Sequence, residues 1–142
     1  MTSPSRELQT AAVAAALQDS ALVAAVASTA NGPAVFARGQ AFPDVFPRVT
    51  LGAPQRLDRS TSCGVAGDFI LTLHSWARGP DCTLVAAELA DAVIAALLGS
   101  VLVLNGWRVT GRALTASRPV GDPDPATEHF VTDIRFTLHR AA

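Results

Sequence analysis

The stretch Asp68-Phe69-Ile70-Leu71-Thr72-Leu73-His74-Ser75-Trp76, then Gly79-Pro80-Asp81 and the run Cys82 to Leu98, decides the fold. Phe69, Leu71 and Leu73 fall on one face of a period-two pattern, and Thr72, His74 and Trp76 fall on the other. Such alternation in an aromatic and β-branched context predicts a strand. Gly79-Pro80 punctuates the chain, and Asp81 is a residue type that caps helices by accepting from a first-turn amide. The following run is too long for one strand. Its polar residues Glu88 and Asp91 lie three apart, and Ala86, Leu89, Ala90, Val93 and Leu97 form the opposite stripe of a helix. Gly99 is a natural stop. A strand feeding a helix that folds back on the sheet implies two layers.

Working outward, Ser3 or Ser5 starts a helix to about Leu17, and Asp19 caps a second short helix over residues 20–27. Continuation as one kinked helix is the alternative. Ala30-Asn31-Gly32-Pro33 ends this unit. Val35-Phe36-Ala37 reads as an edge strand, residues 38–46 as a loop, and Pro47 to Gly52 as a strand with proline at its first position. Residues 53–67 carry little hydrophobic pattern. They read as a long polar loop or the tip of an extended hairpin. Val101 to Leu104 is a short apolar run, and Asn105-Gly106 predicts a type I′ hairpin into a return strand from Trp107 to Thr115. On that strand Arg108, Thr110 and Arg112 fall on one side. Pro119 to Pro125 is turn-rich. Phe130, Thr132, Ile134, Phe136 and Leu138 then alternate with polar residues, as in an antiparallel sheet with one open face. The expected architecture is α+β: one domain over residues 1–142, with an antiparallel or mixed sheet and two main helices on one face.

Composition narrows the function. The chain has 142 residues, of which 49% are apolar, and a formal net charge of −1. A chain this size buries roughly 68–70% of its unfolded surface. The charge gives no electrostatic reason to expect nucleic acid or an anionic membrane. All 11 basic residues are arginine, which excludes Schiff-base and phosphate-loop lysine chemistry. Cys63 and Cys82 have no metal-ligand spacing and suit a reducing compartment. Residues 1–7 read as a helix start rather than a signal peptide, and the Ala-rich segment 11–30 is interrupted by Gln18, Asp19 and Ser20, unlike a membrane span. The expectation is a soluble protein.

No catalytic pattern stands out. His74, His129 and His139 lie on expected strands, and nothing fixes Cys63 beside His74 as a nucleophile–base pair. Asp122 and Asp124 alternate with prolines and lack the further oxygen ligands of a calcium loop. Arg108 and Arg112 are candidates for a phosphate or a partner carboxylate, or for pairing with Asp133. Trp76 and Trp107 are core or interface anchors. The chain reads as a binding or assembly module with no cofactor and no metal.

One resemblance covers nearly the whole chain. The Asp19-x-x-Leu22 step, Phe46-Pro47-x-Val49-x-Leu51-Gly52, Asp58-Arg59-Ser60-Thr61, Leu71-x-Leu73-His74-Ser75-Trp76-x-Arg78, the helix with Ala90-Asp91-Ala92-Val93, and the terminal Arg135-Phe136 follow in an order that resembles the tail-terminator, or tail-completion, family of long-tailed phages and gene transfer agents. The resemblance implies a structural, non-enzymatic virion protein at the tail–neck junction, assembled in the bacterial cytoplasm. It implies a sixfold ring that caps the tail tube, ends its growth and joins it to the head. The partners implied are further copies of the chain, the tail tube protein and a head–tail connector or stopper. A closed ring uses heterologous contacts, each burying on the order of 1,000 Å² or more. Arg56, Asp58 and Arg59 of the polar loop, with Arg108 and Arg112, are the expected contact residues. The rival readings are another head–tail joining part, a small enzyme using Cys63 or His74, and a cytoplasmic ligand-binding domain.

Overall fold

The strand expected at 68–76 is longer than its pattern, running Ala66–Arg78, and it is the centre of the fold. In the computed structural model, which describes residues 2–40 and 43–141, chain order is α1 (Pro4–Gln18), α2 (Ser20–Ala25), β1 (Ser28–Thr29), β2 (Gly32–Pro33), β3 (Val35–Ala37), β4 (Arg48–Leu51), β5 (Gln55–Asp58), β6 (Ala66–Arg78), α3 (Cys82–Gly99), β7 (Trp107–Val120) and β8 (Thr127–Arg140). The large sheet has the order β3-β4-β6-β8-β7, with β5 also beside β6. β3 and β4 are parallel and the other pairs antiparallel, so the sheet is mixed. The short β1–β2 ladder stands apart.

The expected α+β class holds, with the helices on one face. Leu8 and Ala12 of α1, Leu22 of α2, and Leu89, Val93 and Leu97 of α3 share one buried cluster with Phe69, Leu71, Leu73, Ile134 and Phe136. All five residues of the expected α3 stripe are buried, whereas Glu88 and Asp91 are exposed. Asp19 divides the first two helices as expected: its carboxylate accepts from the Leu22 amide at 2.9 Å. Ser3 caps α1, and Glu7 reaches across the fold to accept from the Asn105 amide at 3.1 Å. Asp81 precedes α3 without a side-chain cap bond.

Several expectations need correction. Residues 53–67 are not a structureless loop. β5 pairs with residues 67–70 of β6, Arg59 N–H donates to Ala66 O at 2.9 Å, and Thr61 and Gly64 close the tip. β5 is exposed at all four positions, so it leaves no apolar alternation in the sequence. Residues 101–104 form no strand; only Leu104 bridges Trp107. The turn between them is not type I′, because φ is positive at Gly106 (81°) and not at Asn105. The return strand continues through Pro119 to Val120, shortening the expected turn-rich loop. Proline is tolerated there because β7 is an edge strand whose outward N–H has no ladder partner to lose. The 38–46 loop lies in place apart from Ala41 and Phe42, which fall outside the described residues.

β7 also breaks register twice, between Val109 and Gly111 and between Leu114 and Ala116. Each break inserts one extra residue and reverses the facing of the side chains beyond it. Arg108 and Arg112 therefore do not share a side. Arg108 stays exposed opposite His139, whereas Arg112 turns to the helical side and donates to the Leu97 (2.8 Å) and Ser100 carbonyls. Those carbonyls belong to the end of α3, where a cation also complements the helix dipole.

Candidate functional site on the open sheet face

The residues alternating with the core positions of β6 and β8 make the uncovered face. Register places His74 opposite Val131, Trp76 opposite His129 and Thr72 opposite Asp133, with Arg48 and Thr50 of β4 alongside Trp76 and His74. His74 Nδ1 and His129 Nε2 are 2.6 Å apart and hydrogen-bonded. Whichever ring donates, the outer nitrogens of the pair retain one N–H and one bare nitrogen. The Trp76 indole stacks on His129 with centroids 3.7 Å apart and planes within 6°. Its Nε1–H donates to Thr50 Oγ1 at 3.4 Å.

The stack continues outward through alternating cations and rings. The Arg48 guanidinium lies 5.4 Å from the Trp76 ring and 4.3 Å from Phe46, and Arg78 covers Phe46 at 4.1 Å. Cation–π attraction supports each step. Asp44 pairs with Arg48 at 3.0 Å and with Arg78 at 3.6 Å, tying the two arginines together.

Burial disfavours the charged form of both imidazoles. It pushes His129 down to about 4, with the neighbouring His74 adding to the shift and Asp122 and Glu128 opposing it. His74 is lowered by burial first and by Arg38 second, against Asp133. Two neutral rings thus sit at the mouth of a pocket of about 330 Å³, lined by Arg38, Thr50, Leu51, His74, Trp76 and His129. Arg38 forms no ion pair among the described residues. The pocket therefore offers a cation, a hydrogen-bonding imidazole pair and an apolar wall. That set suits the capture of an anionic or polar side chain more than nucleophilic attack. Cys63 lies elsewhere, at the β5–β6 hairpin tip in a hollow with His139, and is not brought to His74. Among the described residues no three His, Cys, Asp or Glu side chains converge to hold a metal.

The expected contact residues scatter over three places. Arg56, Asp58 and Arg59 are on the hairpin, with Arg56 4.0 Å from Asp58 and its guanidinium 5.5 Å from the Phe69 ring. Arg59 pairs with Asp68 at 3.0 Å. Asp68 also accepts from Thr137 Oγ1 at 2.7 Å, and that bond, with Arg59 and Arg135, lowers its carboxyl below the usual carboxylate value against the opposing effect of burial. Arg108 projects from β7, and Arg112 is occupied at the end of α3. The cation beside Asp133 is Arg118, at 3.6 Å, not Arg108 or Arg112. The imidazole pair escaped sequence reading because it depends on the β6–β8 register. Both histidines were assignable to outward faces, but not to each other.

The relatives agree with this architecture. The family model described as tail completion protein gp17 matches residues 11–139. Tail completion protein gp17 of Bacillus phage SPP1 is 23% identical over 96 residues, covering 68% of this chain and 70% of that protein. A chain in the virion of a native gene transfer agent particle superposes with a TM-score of 0.83 at 21% identity, covering 98% of this chain and 99% of that one. The structure of bacteriophage SPP1 gp17 gives 0.61 at 23% identity, over 94% and 89% of the two chains. The fold is thus shared with components of phage and gene transfer agent particles, and the chain belongs to the tail completion protein gp17 family.

Proposed function

We propose that this chain acts as one α+β unit in the tail of a phage-like particle. Several copies close into a ring, six on the family resemblance, that caps the tail tube, stops its growth and presents a new surface to a head–tail connector or stopper. Assembly takes place in the bacterial cytoplasm. The observation that carries the reading is the match of the tail completion family across residues 11–139. The role is structural, with no cofactor, membrane or specific nucleic acid. The position of Cys63 away from the imidazole pair supports a surface used for contact. α3 is long and apolar enough to cross a bilayer, with mean hydropathy 1.8. We read it as a core helix because its Leu89–Val93–Leu97 stripe is packed on the sheet.

Capping needs two unlike ends: one matches the tube, and the other refuses a further tube subunit. The β5–β6 hairpin suits the reach toward tube or neighbour, with Arg56, Asp58 and Arg59 as polar anchors. Arg108 adds a contact on the β7 side, and Arg112 acts by holding the end of α3. The test is electron microscopy of particles made without this protein, together with pull-downs of the purified chain against tube protein and connector. Tails of irregular length, or tails detached from filled heads, are the expected result. Uniform tails firmly fixed to heads overturn the reading.

A further inference from the structure

The charges are divided by layer. The helices and their cap residues carry Arg6 as their one cation against Glu7, Asp19, Asp81, Glu88 and Asp91. Glu7 and Asp19 accept backbone bonds, while Asp81, Glu88 and Asp91 have no ion pair among the described residues. In the sheet layer the order is reversed. Asp44, Asp58, Asp68, Asp124 and Asp133 are all matched by arginines, and among the described residues four cations, Arg38, Arg108, Arg112 and Arg135, are left without an ion pair against two acids, Asp122 and Glu128. The two layers of the molecule thus carry opposite unspent charge.

The outer side of α3 has the form of a docking ridge. Leu84, Glu88, Asp91 and Ala95 recur at i, i+4, i+7 and i+11, which sets them in one stripe. None of the four is buried, and Leu84 is 66% exposed. A helix apolar nearly all round is normally covered on every side; here the sheet, α1 and α2 pack against α3 but leave this stripe bare. Resting on the ring reading above, we propose that a second copy of this chain lays the Leu84–Glu88–Asp91–Ala95 stripe on the open sheet face, with its carboxylates at Arg38 and Leu84 against the Trp76 ring that lines the pocket.

The contact is heterologous, since helix layer meets sheet face. Each copy therefore keeps one ridge and one receiving face free for the next, the condition for a ring or for an open stack. Opposite charge fixes which side meets which and penalises ridge on ridge.

Sedimentation velocity on the full chain, under reducing conditions to keep exposed Cys63 from cross-linking, reads this directly. The E88R/D91R variant and the R38E variant are each expected to self-associate at least about tenfold more weakly than the wild type, and salt is expected to weaken the wild type in the same direction. Mixed in equal amounts, the two variants are expected to associate with each other, because each reversed surface then meets its complement. Wild-type association in both variants, or loss without recovery in the mixture, overturns this surface and leaves the ring standing. A wild-type chain that stays monomeric at every concentration, with tube protein added, removes the ring and this contact together.

Discussion

The two faces of the central sheet are built from neighbouring residues of the same strands, yet they do different work. On β6, Phe69, Leu71 and Leu73 point into the helices and are fully buried, while Thr72, His74 and Trp76 point outward into a network of hydrogen bonds and stacked rings. On β8, Ile134 and Phe136 are buried, while Asp133 before them and Arg135 between them are outward. One face supplies stability through area removed from water. The other supplies a surface whose groups are half-satisfied and chemically specific. A sheet covered on one side lets period two separate folding from recognition, residue by residue.

The sharpest way to break this contrast is through the covered face. Phe136→Ala removes a fully buried ring from the middle of β8 and should cost about 3–5 kcal/mol, read as a lower denaturant midpoint with the slope unchanged. A smaller effect should come from Arg112→Ala, where a polar group has been turned into the helical side. Loss of its bonds to the Leu97 and Ser100 carbonyls should cost about 1–2 kcal/mol. Amide exchange should quicken in the last turn of α3 more than in its first turn; uniform protection across the helix would contradict the assignment.

At neutral pH the smallest effect belongs to the open face, because it is visible only in acid. In the unfolded chain His129 takes up its proton near 6.5, whereas in the folded chain it does so at about 4. Between those values the unfolded state binds more protons, so stability declines as pH falls through that window. His74 shifts in the same direction. Above the window the pair contributes no pH dependence. Replacing His129 with Asn should flatten the decline in melting temperature between neutral pH and pH 4. An unchanged acid limb would show that the imidazoles are not held neutral by this face.

Legibility in the sequence divides along the same line. The covered face was legible because burial writes itself as spacing: Phe69–Leu71–Leu73, the Ala86–Leu97 stripe and the closing strand all announce their facing. Asp19 announced a cap by its chemistry. β5 was illegible because it is exposed on every residue and pairs by backbone alone. The side taken by Arg112 was illegible because one inserted residue near Thr110 reverses every later side chain without leaving a mark in composition. The His74–His129 pair needs two strands set to the right register across 55 positions, which a local pattern does not encode. The apolar run 101–104 misled for the opposite reason. Leu102 and Leu104 are buried, but Val101 and Val103 are 84% and 82% exposed, so alternation was present without a ladder.

The two register breaks in β7 have an effect beyond the aim of Arg112. That strand forms one border of the large sheet, and a long straight border invites a foreign strand to zip along it. Here the border bends near Thr110 and Thr115 and meets Pro119, which offers no N–H. A newcomer finds no run of evenly spaced partners there, so uncontrolled fibre growth through this rim is disfavoured while the broad faces stay free for assembly.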